Sequence, residues 1–203
     1  MERIKEIVRI LYKIDPCDNI DINSSEYQFI HGDVLKETLK FLSKDKYRIV
    51  GNLPYNISTQ IIIKLLQYFN MIEDMHFLVQ KEVANRICSS NHKGEWGRLG
   101  VKISAFFQTA VLFDVPPESF DIKPKVQSSF IRLIPRSVPL ISIKEYIGFS
   151  ALIDQSFANK RKSIKNNLKK FNINFHKLAI NPLARAEELS IEEFISIFKE
   201  SNI

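Results

Sequence analysis

Cysteine, glycine and long apolar runs are what this 203-residue sequence has least of. Its two cysteines, Cys17 and Cys88, lie far apart and match no metal-ligand spacing. That excludes a disulfide-stapled scaffold and fits a reducing compartment. No apolar run approaches the ~20 residues of a membrane span, and the start carries no signal-peptide pattern. The expectation is a soluble, cytoplasmic protein with no membrane partner. His31, His76, His92 and His176 form no cluster, so no metal is expected; His76, inside an apolar run, reads as a satisfied core histidine. Of the six glycines, Gly94, Gly97 and Gly100 are evenly spaced. They lie in a polar loop after a helix and follow no strand, the wrong context for a nucleotide-cradling turn.

What the chain does have is globular composition, with 45% hydrophobic and 26% charged residues. Its length suits one domain, or one plus a small appendage. The net charge of +6 points towards a polyanionic partner without identifying one.

Spacing of apolar residues predicts an amphipathic helix over 3–14, ended by Asp15-Pro16. Short strands follow at 27–30, 47–50 and 76–79, alternating with helices at 34–43, 58–69 and 81–88. After a loop at 89–97 come a helix at 98–107 and β-rich runs at 109–115 and 126–134. Strands alternating with helices imply an α/β fold around a mainly parallel sheet, closed by an antiparallel edge pair. Pro135 and Pro139 bracket a linker, and beyond it only helical patterns occur, at 142–156, 160–171, 174–180 and 190–200. The chain therefore divides into an α/β domain, 1–138, and a small all-helical domain, 139–203.

The most informative stretch is Asn52-Leu53-Pro54-Tyr55, directly after a strand. In open parallel sheets ligands bind at the carboxyl ends of strands. The Asn52 side-chain carbonyl can accept a hydrogen bond from an exocyclic amine, and the main-chain carbonyl of Leu53 or Pro54 can accept a second. Tyr55 offers a ring on which a base can stack. Two acceptors on one amino group hold its lone pair towards an electrophile, which suits alkylation of an adenine amine. The plainer alternative is an Asn-capped proline turn with Tyr55 in the core.

The longer string Gly51-Asn52-Leu53-Pro54-Tyr55-Asn56-Ile57-Ser58-Thr59 resembles the ribosomal RNA adenine N6,N6-dimethyltransferase family (the KsgA type). The likeness continues in register from about residue 27 to 200. It runs through the stretch from Asp74 to Arg86, Gly97-Arg98-Leu99, Val115 to Phe120, Pro124 to Ser129, Lys160 to Leu168 and Arg185 to Ser190. The resemblance implies a Rossmann-like class I methyltransferase sheet with S-adenosyl-L-methionine as cofactor. The implied reaction is dimethylation of adjacent adenines in small-subunit ribosomal RNA during ribosome assembly. Asn52, Leu53, Pro54 and Tyr55 match the catalytic turn, and Phe120 matches an aromatic that sandwiches the flipped-out base against Tyr55. Asp33 matches the acid that bonds the cofactor's adenine, and Asn52 touches the cofactor too.

The sequence departs from that family at one place. The family's first strand leads into an acidic-Gly-x-Gly-x-Gly loop, and a second strand ends in an acid for the ribose. Neither is here. Residues 17–26 are far too few for a βαβ unit of ~30 residues. The sheet is therefore expected to be incomplete at its first strands, with strand 47–50 left a bare edge unless strand 27–30 moves in beside it. A degenerate relative, an internally shortened enzyme and strand exchange between two chains would each account for this.

Residues 157–185 hold Lys160, Arg161, Lys162, Lys165, Lys169, Lys170, Lys177 and Arg185 and no acidic residue. Lys162, Lys165 and Lys169 are spaced to share a helical face, and Asn166 and Asn167 add hydrogen-bonding groups. Such a face can follow an RNA backbone, although many charge runs are only solvated. Lys123, Lys125 and Arg132, near Phe120, are placed to guide a strand inwards. Two functional readings follow: an adenine methyltransferase of the pre-ribosomal small subunit, or an inactive RNA-binding relative that has lost the cofactor loop. An adenine methylase acting on DNA is a further reading.

Overall fold

The computed structural model describes residues 10–11, 33–36, 46–91 and 95–201. Its centre is a five-stranded sheet in the order β1-β2-β3-β5-β4. The strands are β1 (Ile10–Leu11), β2 (Tyr47–Asn52), β3 (Ile72–Gln80), β4 (Phe107–Val115) and β5 (Ser128–Pro135). β2 and β3 run parallel, joined by the apolar helix α1 (Ser58–Leu65) and a 3-10 segment, Leu66–Met71. β5 enters antiparallel between β3 and β4, so the expected antiparallel edge pair is present. Helices α2 (Lys81–Cys88) and α3 (Arg98–Ser104) connect β3 to β4.

Ile10 and Leu11 are in a strand, not in the expected helix over 3–14. They pair antiparallel with Ile49 and Arg48. The unpaired groups of the β2 edge provide the reason, because a two-residue ladder satisfies donors and acceptors that helical periodicity ignores. Strand 27–30 lies outside the described residues. Of the helix expected at 34–43, residues 34–36 form a turn and the rest lie outside the described residues.

Alternation along β2, β3 and β5 divides the sheet into two faces. Ile49, Met75, Phe77, Val79, Ile131 and Leu133 are buried in one apolar cluster with Ile61, Ile62, Leu65, Val83, Ile87, Val101 and Phe106. The register places Arg48, Val50, Asn52, Asp74, His76, Leu78, Phe130, Arg132 and Phe113 on the other face. β3 begins at Ile72, four residues earlier than its apolar run suggests. The acidic pair Glu73-Asp74 hides that start, because Asp74 is buried only by virtue of its arginine partners.

Beyond Pro135 the described residues contain no strand. They form α4 (Tyr146–Ser156), the one-turn α5 (Ile164–Asn167), a 3-10 turn at Ala186–Glu188 and α6 (Ile191–Ser201). The expected helix at 160–171 shrinks to α5. Asparagine competes with the helix for hydrogen bonds, and the Asn167 side chain is buried, giving its Nδ2 to the carbonyls of Ser156 (2.7 Å) and Asn159 (3.2 Å). The expected helix at 174–180 is a set of turns. The Asn174 Oδ1 accepts the Lys177 N–H (3.0 Å), and Ala179 adopts φ 55°. The sheet part and the helical part share one apolar core: the Trp96 Nε1 donates to the Leu189 carbonyl (2.8 Å), and Phe106 packs against Tyr146.

Gly100 has a structural job. A Cβ there would stand 2.7 Å from the Arg86 carbonyl oxygen and 3.0 Å from the Trp96 ring. Gly100 therefore serves the close approach of α3 to the end of α2, while Gly97 has room for a side chain and Gly94 lies outside the described residues.

Candidate active site

β2 ends at Asn52, whose side chain is exposed at the carboxyl edge of the sheet. The next residue turns inwards: Leu53 is buried, and its N–H bonds the Leu78 carbonyl (3.1 Å). Gly51 makes room for it, since a Cβ there would come 3.2 Å from Leu53 Cδ2. Pro54 stiffens the corner, and its carbonyl accepts the Ile57 N–H (3.2 Å). Of the two main-chain acceptors suggested by sequence, the Pro54 oxygen is thus engaged in the turn. The Leu53 oxygen takes no main-chain N–H among the described residues. The Tyr55 carbonyl accepts the buried Ser58 Oγ (3.4 Å) at the start of α1.

Tyr55 is half-buried, and its hydroxyl lies 2.6 Å from Ser128 Oγ at the start of β5. That bond ties the corner to the β4–β5 hairpin, which carries Phe120. Phe120 follows the 3-10 turn Pro117–Ser119, with its N–H on the Pro117 carbonyl (3.2 Å), and is half-buried. The Tyr55 and Phe120 rings do not pack on each other. Lys123 and Lys125 are exposed on the same hairpin. The hairpin is held to α2 by Lys81: its N–H bonds the Gln127 carbonyl (2.9 Å) and its Nζ bonds Asp114 Oδ2 (2.6 Å). Ser129 Oγ donates to the other Asp114 oxygen (2.6 Å). Lys81 and Ser129 together hold the Asp114 carboxyl below its ordinary value. Sequence reasoning gave Ser128, Lys81 and Asp114 no role, although Lys81 and Ser128 sit inside the stretches that resemble the family.

Asp33 is exposed in a turn of its own. Its Oδ1 accepts the Leu35 N–H (3.0 Å), Lys36 Nζ lies 3.5 Å from Oδ2, and its carboxyl is lowered chiefly by that main-chain bond. The neighbouring Val34 carbonyl takes a hydrogen bond from Lys64 Nζ near the far end of α1 (2.8 Å). No hydrogen bond or ion pair joins Asp33 to the corner.

A charged cluster lies on the corner's side of the sheet. Asp74, 3% exposed, accepts Arg48 Nε (2.7 Å) and Nη2 (2.8 Å), with Arg132 Nη2 3.7 Å away. The Arg48 hydrogen bond holds the Asp74 carboxyl low. His76 is not the satisfied histidine that its sequence suggests: its buried Nδ1 lacks a hydrogen-bond partner, 3.4 Å from Asp74 Oδ1. Burial pushes its pKa down. Arg132 thus lies towards Asp74, at 3.7 Å and without a hydrogen bond to it, and keeps 42% of its side chain exposed.

Lys160, Arg161, Lys162, Lys165 and Lys169 are all exposed, and none has an acidic partner among the described residues. They do not share a helical face: only Lys165 is in α5, and the others lie in the turns around it. Asn167 serves the fold and not the surface. Lys177 is paired with Glu200 (2.8 Å). Among the described residues, no helix is long and apolar enough to cross a membrane, and no group of three or more metal-ligating side chains occurs. Elsewhere, a groove of about 340 Å³ runs between the end of α2, β4 and the start of α6, past Cys88, Gln108 and Arg136. Burial pushes the Cys88 thiol up to about 11, so it is not a ready nucleophile.

Comparison with known proteins fits this arrangement. Residues 17–202 match the family described as ribosomal RNA adenine dimethylase. A ribosomal RNA small subunit methyltransferase A from Neisseria meningitidis serogroup A is 40% identical over 168 residues, which are 82% of this chain and 64% of that protein. The one from Dechloromonas aromatica is 38% identical over 178 residues, 86% of this chain and 69% of that protein. The chain thus spans about 64% of the length of the Neisseria relative. Among solved structures, a dimethyladenosine transferase from Plasmodium falciparum superposes with a TM-score of 0.72 at 21% identity, covering 86% of this chain and 73% of that one. The 23S rRNA methyltransferase ErmE superposes at 0.59 and 22% identity, covering 80% and 70%. These likenesses are of fold: the chain shares the Rossmann-like α/β architecture of both proteins, although among its described strands only β2 and β3 pair in parallel, where a mainly parallel sheet is expected from sequence. On the match across most of its length, the chain belongs to the ribosomal RNA adenine dimethylase family.

Proposed function

We propose that this chain grips adenine amino groups of small-subunit ribosomal RNA for N6,N6-dimethylation of adjacent adenines, with S-adenosyl-L-methionine as methyl donor, during ribosome assembly in the cytoplasm. The observation that carries the reading is the corner at Asn52–Tyr55. An exposed amide and an unengaged Leu53 carbonyl stand at a strand end, on a turn made rigid by Pro54, Ser58 and the Tyr55–Ser128 bond. Asn52 Oδ1 and the Leu53 oxygen accept the two N–H bonds of the target amine, which fixes the direction of its lone pair. Tyr55 and Phe120 hold the extruded base between their rings, and Lys123 and Lys125 draw in the flanking backbone. The exposed cations at 160–169 bind phosphates farther along the strand.

The cofactor side is another matter. S-adenosyl-L-methionine supplies the electrophilic methyl group in this chemistry. The described residues do not fit it fully. Asn52 is present, but the Asp33 carboxylate is held within its own turn. β2 is flanked by an antiparallel pair of residues, not by a parallel strand leading into a glycine-rich loop. That observation favours a second reading, a binding relative that occupies ribosomal RNA without methylating it.

Calorimetric titration with S-adenosyl-L-methionine, alongside nucleoside analysis of small-subunit RNA after incubation with both, separates the two. Cofactor binding with N6,N6-dimethyladenosine formed by the chain and lost in Asn52→Ala supports the methyltransferase. No cofactor heat at millimolar concentration, with tight salt-dependent RNA binding, leaves the binding relative.

A further inference from the structure

Asn52 does not stand alone on its face of the sheet. The register aligns Asn52 with Leu78, Leu78 with Phe130, and Phe130 with Phe113, one residue from each of four neighbouring strands. At the ordinary strand spacing this row runs about 14 Å from the corner to the sheet edge. Its outer half is aromatic. Phe113 and Phe130 stack with centroids 5.2 Å apart and planes 22° from parallel, and Phe130 stacks with His76 at 6.1 Å and 25°. Phe113, the end of this three-ring stack, is 55% exposed. At the His76 end of the stack, Arg132, paired with His76 in the ladder, and Arg48, paired with Asp74, keep 42% and 47% of their side chains exposed. Asp74 takes two hydrogen bonds from Arg48, which also feels Glu73, whereas Arg132 approaches Asp74 only to 3.7 Å and brings positive charge to this face.

We propose that this row is a stacking platform for a second, unpaired nucleobase of the RNA, seated on the open side of Phe113 while its neighbour occupies the Asn52 corner. The inference rests on the RNA-binding reading above and extends it to a surface with no assigned role. A flat ring at the end of a sheet-borne aromatic stack, next to cations, is how sheets bind single strands without reading sequence. The same charge disfavours a second copy of this chain, since two such faces would bring four guanidiniums together. The bulge between Val111 and Phe113 also interrupts the ladder at the β4 edge, which discourages strand-to-strand pairing.

The test uses the full chain and a fluorescein-labelled oligoadenylate of about a dozen nucleotides, followed by anisotropy. Phe113→Ser, at an exposed ring, should melt as the parent does and bind about tenfold more weakly. Its salt dependence should stay unchanged, because no phosphate contact is lost. Phe113→Trp should bind as tightly as the parent, with an added indole emission quenched by the oligonucleotide above the constant signal of buried Trp96. Unchanged affinity in Phe113→Ser, or an unquenched indole in Phe113→Trp, overturns the platform. So does a change in sedimentation with unaltered RNA binding, which would assign the face to a second copy. If Asn52→Ala leaves adenine handling intact while Phe113→Ser weakens binding, the corner reading fails and the platform stands.

Discussion

The hydroxyl of Tyr55 and that of Ser128 meet at 2.6 Å, across 73 positions of sequence. Through this contact the strand-end corner and the β4–β5 hairpin become one unit, and the ring proposed to support the base cannot swing without disturbing β5. Tyr55→Phe and Ser128→Ala should each lower stability by about 1 kcal/mol. The double variant should be no worse than either single one, because both remove the same bond. A double-mutant cycle by thermal or urea unfolding reads this directly; simple additivity would mean that the hydroxyls do not interact.

Acid should weaken the fold in two steps. Burial lowers the His76 pKa from 6.5, so the unfolded chain takes up that proton first and stability falls as pH drops below about 6.5. The Asp74 carboxyl, lowered from 3.8 by Arg48, stabilises above that value and ceases to do so as pH falls through its lower folded value. Melting temperatures across pH 3 to 8 should show both steps, with His76→Gln removing the upper one. A melting temperature unchanged down to pH 5 in the parent would contradict the His76 assignment.

Asp74→Asn should lower stability by about 2 kcal/mol at pH 7, since Arg48 and Arg132 then face a neutral group in place of a buried carboxylate. Urea unfolding measures it. A variant as stable as the parent would mean that the two guanidiniums simply turn out to solvent.

Gly100→Ala should lower stability by about 2 kcal/mol, because the added carbon meets the Arg86 carbonyl and the Trp96 ring. Near-ultraviolet circular dichroism should report a disturbed Trp96. Wild-type stability and spectrum would show that α2 and α3 have slack between them.

Replacing Lys162, Lys165 and Lys169 together with glutamine should weaken RNA binding and flatten its salt dependence by about 2 to 3 units of slope. The expectation no longer relies on a shared helix face; it relies on three exposed and unpaired ammonium groups around α5. An unchanged slope would make them merely solvated.

Much of this was legible from residue order. Strand and helix alternate from Tyr47 to Cys88 as periodicity indicates, because each element has one buried face and the pattern of buried positions sets its period. The Asn52–Tyr55 turn announced itself through a proline after a strand. Three things were not legible. Ile10 and Leu11 carry a helical pattern, yet they fill an edge that only the assembled sheet creates. Asp74 lies outside the strand that periodicity places at 76–79, and nothing local shows that Arg48 and Arg132, from two other strands, accompany it. The lysines at 160–169 suggest one helix, but the buried Asn167 side chain fastens the segment to Ser156 and Asn159 and stops it after a turn. Each miss depends on a partner beyond a single helical turn, which local spacing does not encode.

The claim on which the functional account stands is that Asn52 and the Leu53 carbonyl recognise an adenine amino group. Its most direct measurement needs no cofactor: the affinity of the chain for a short unpaired oligoadenylate against the same oligomer built from purine ribonucleoside, which lacks the 6-amino group. Two acceptors covered by the bound base and left unpaired correspond to a preference for adenosine of about tenfold or more, and Asn52→Ala should erase it. Equal affinity for both oligomers in the parent chain, or a preference that survives in Asn52→Ala, would contradict the account.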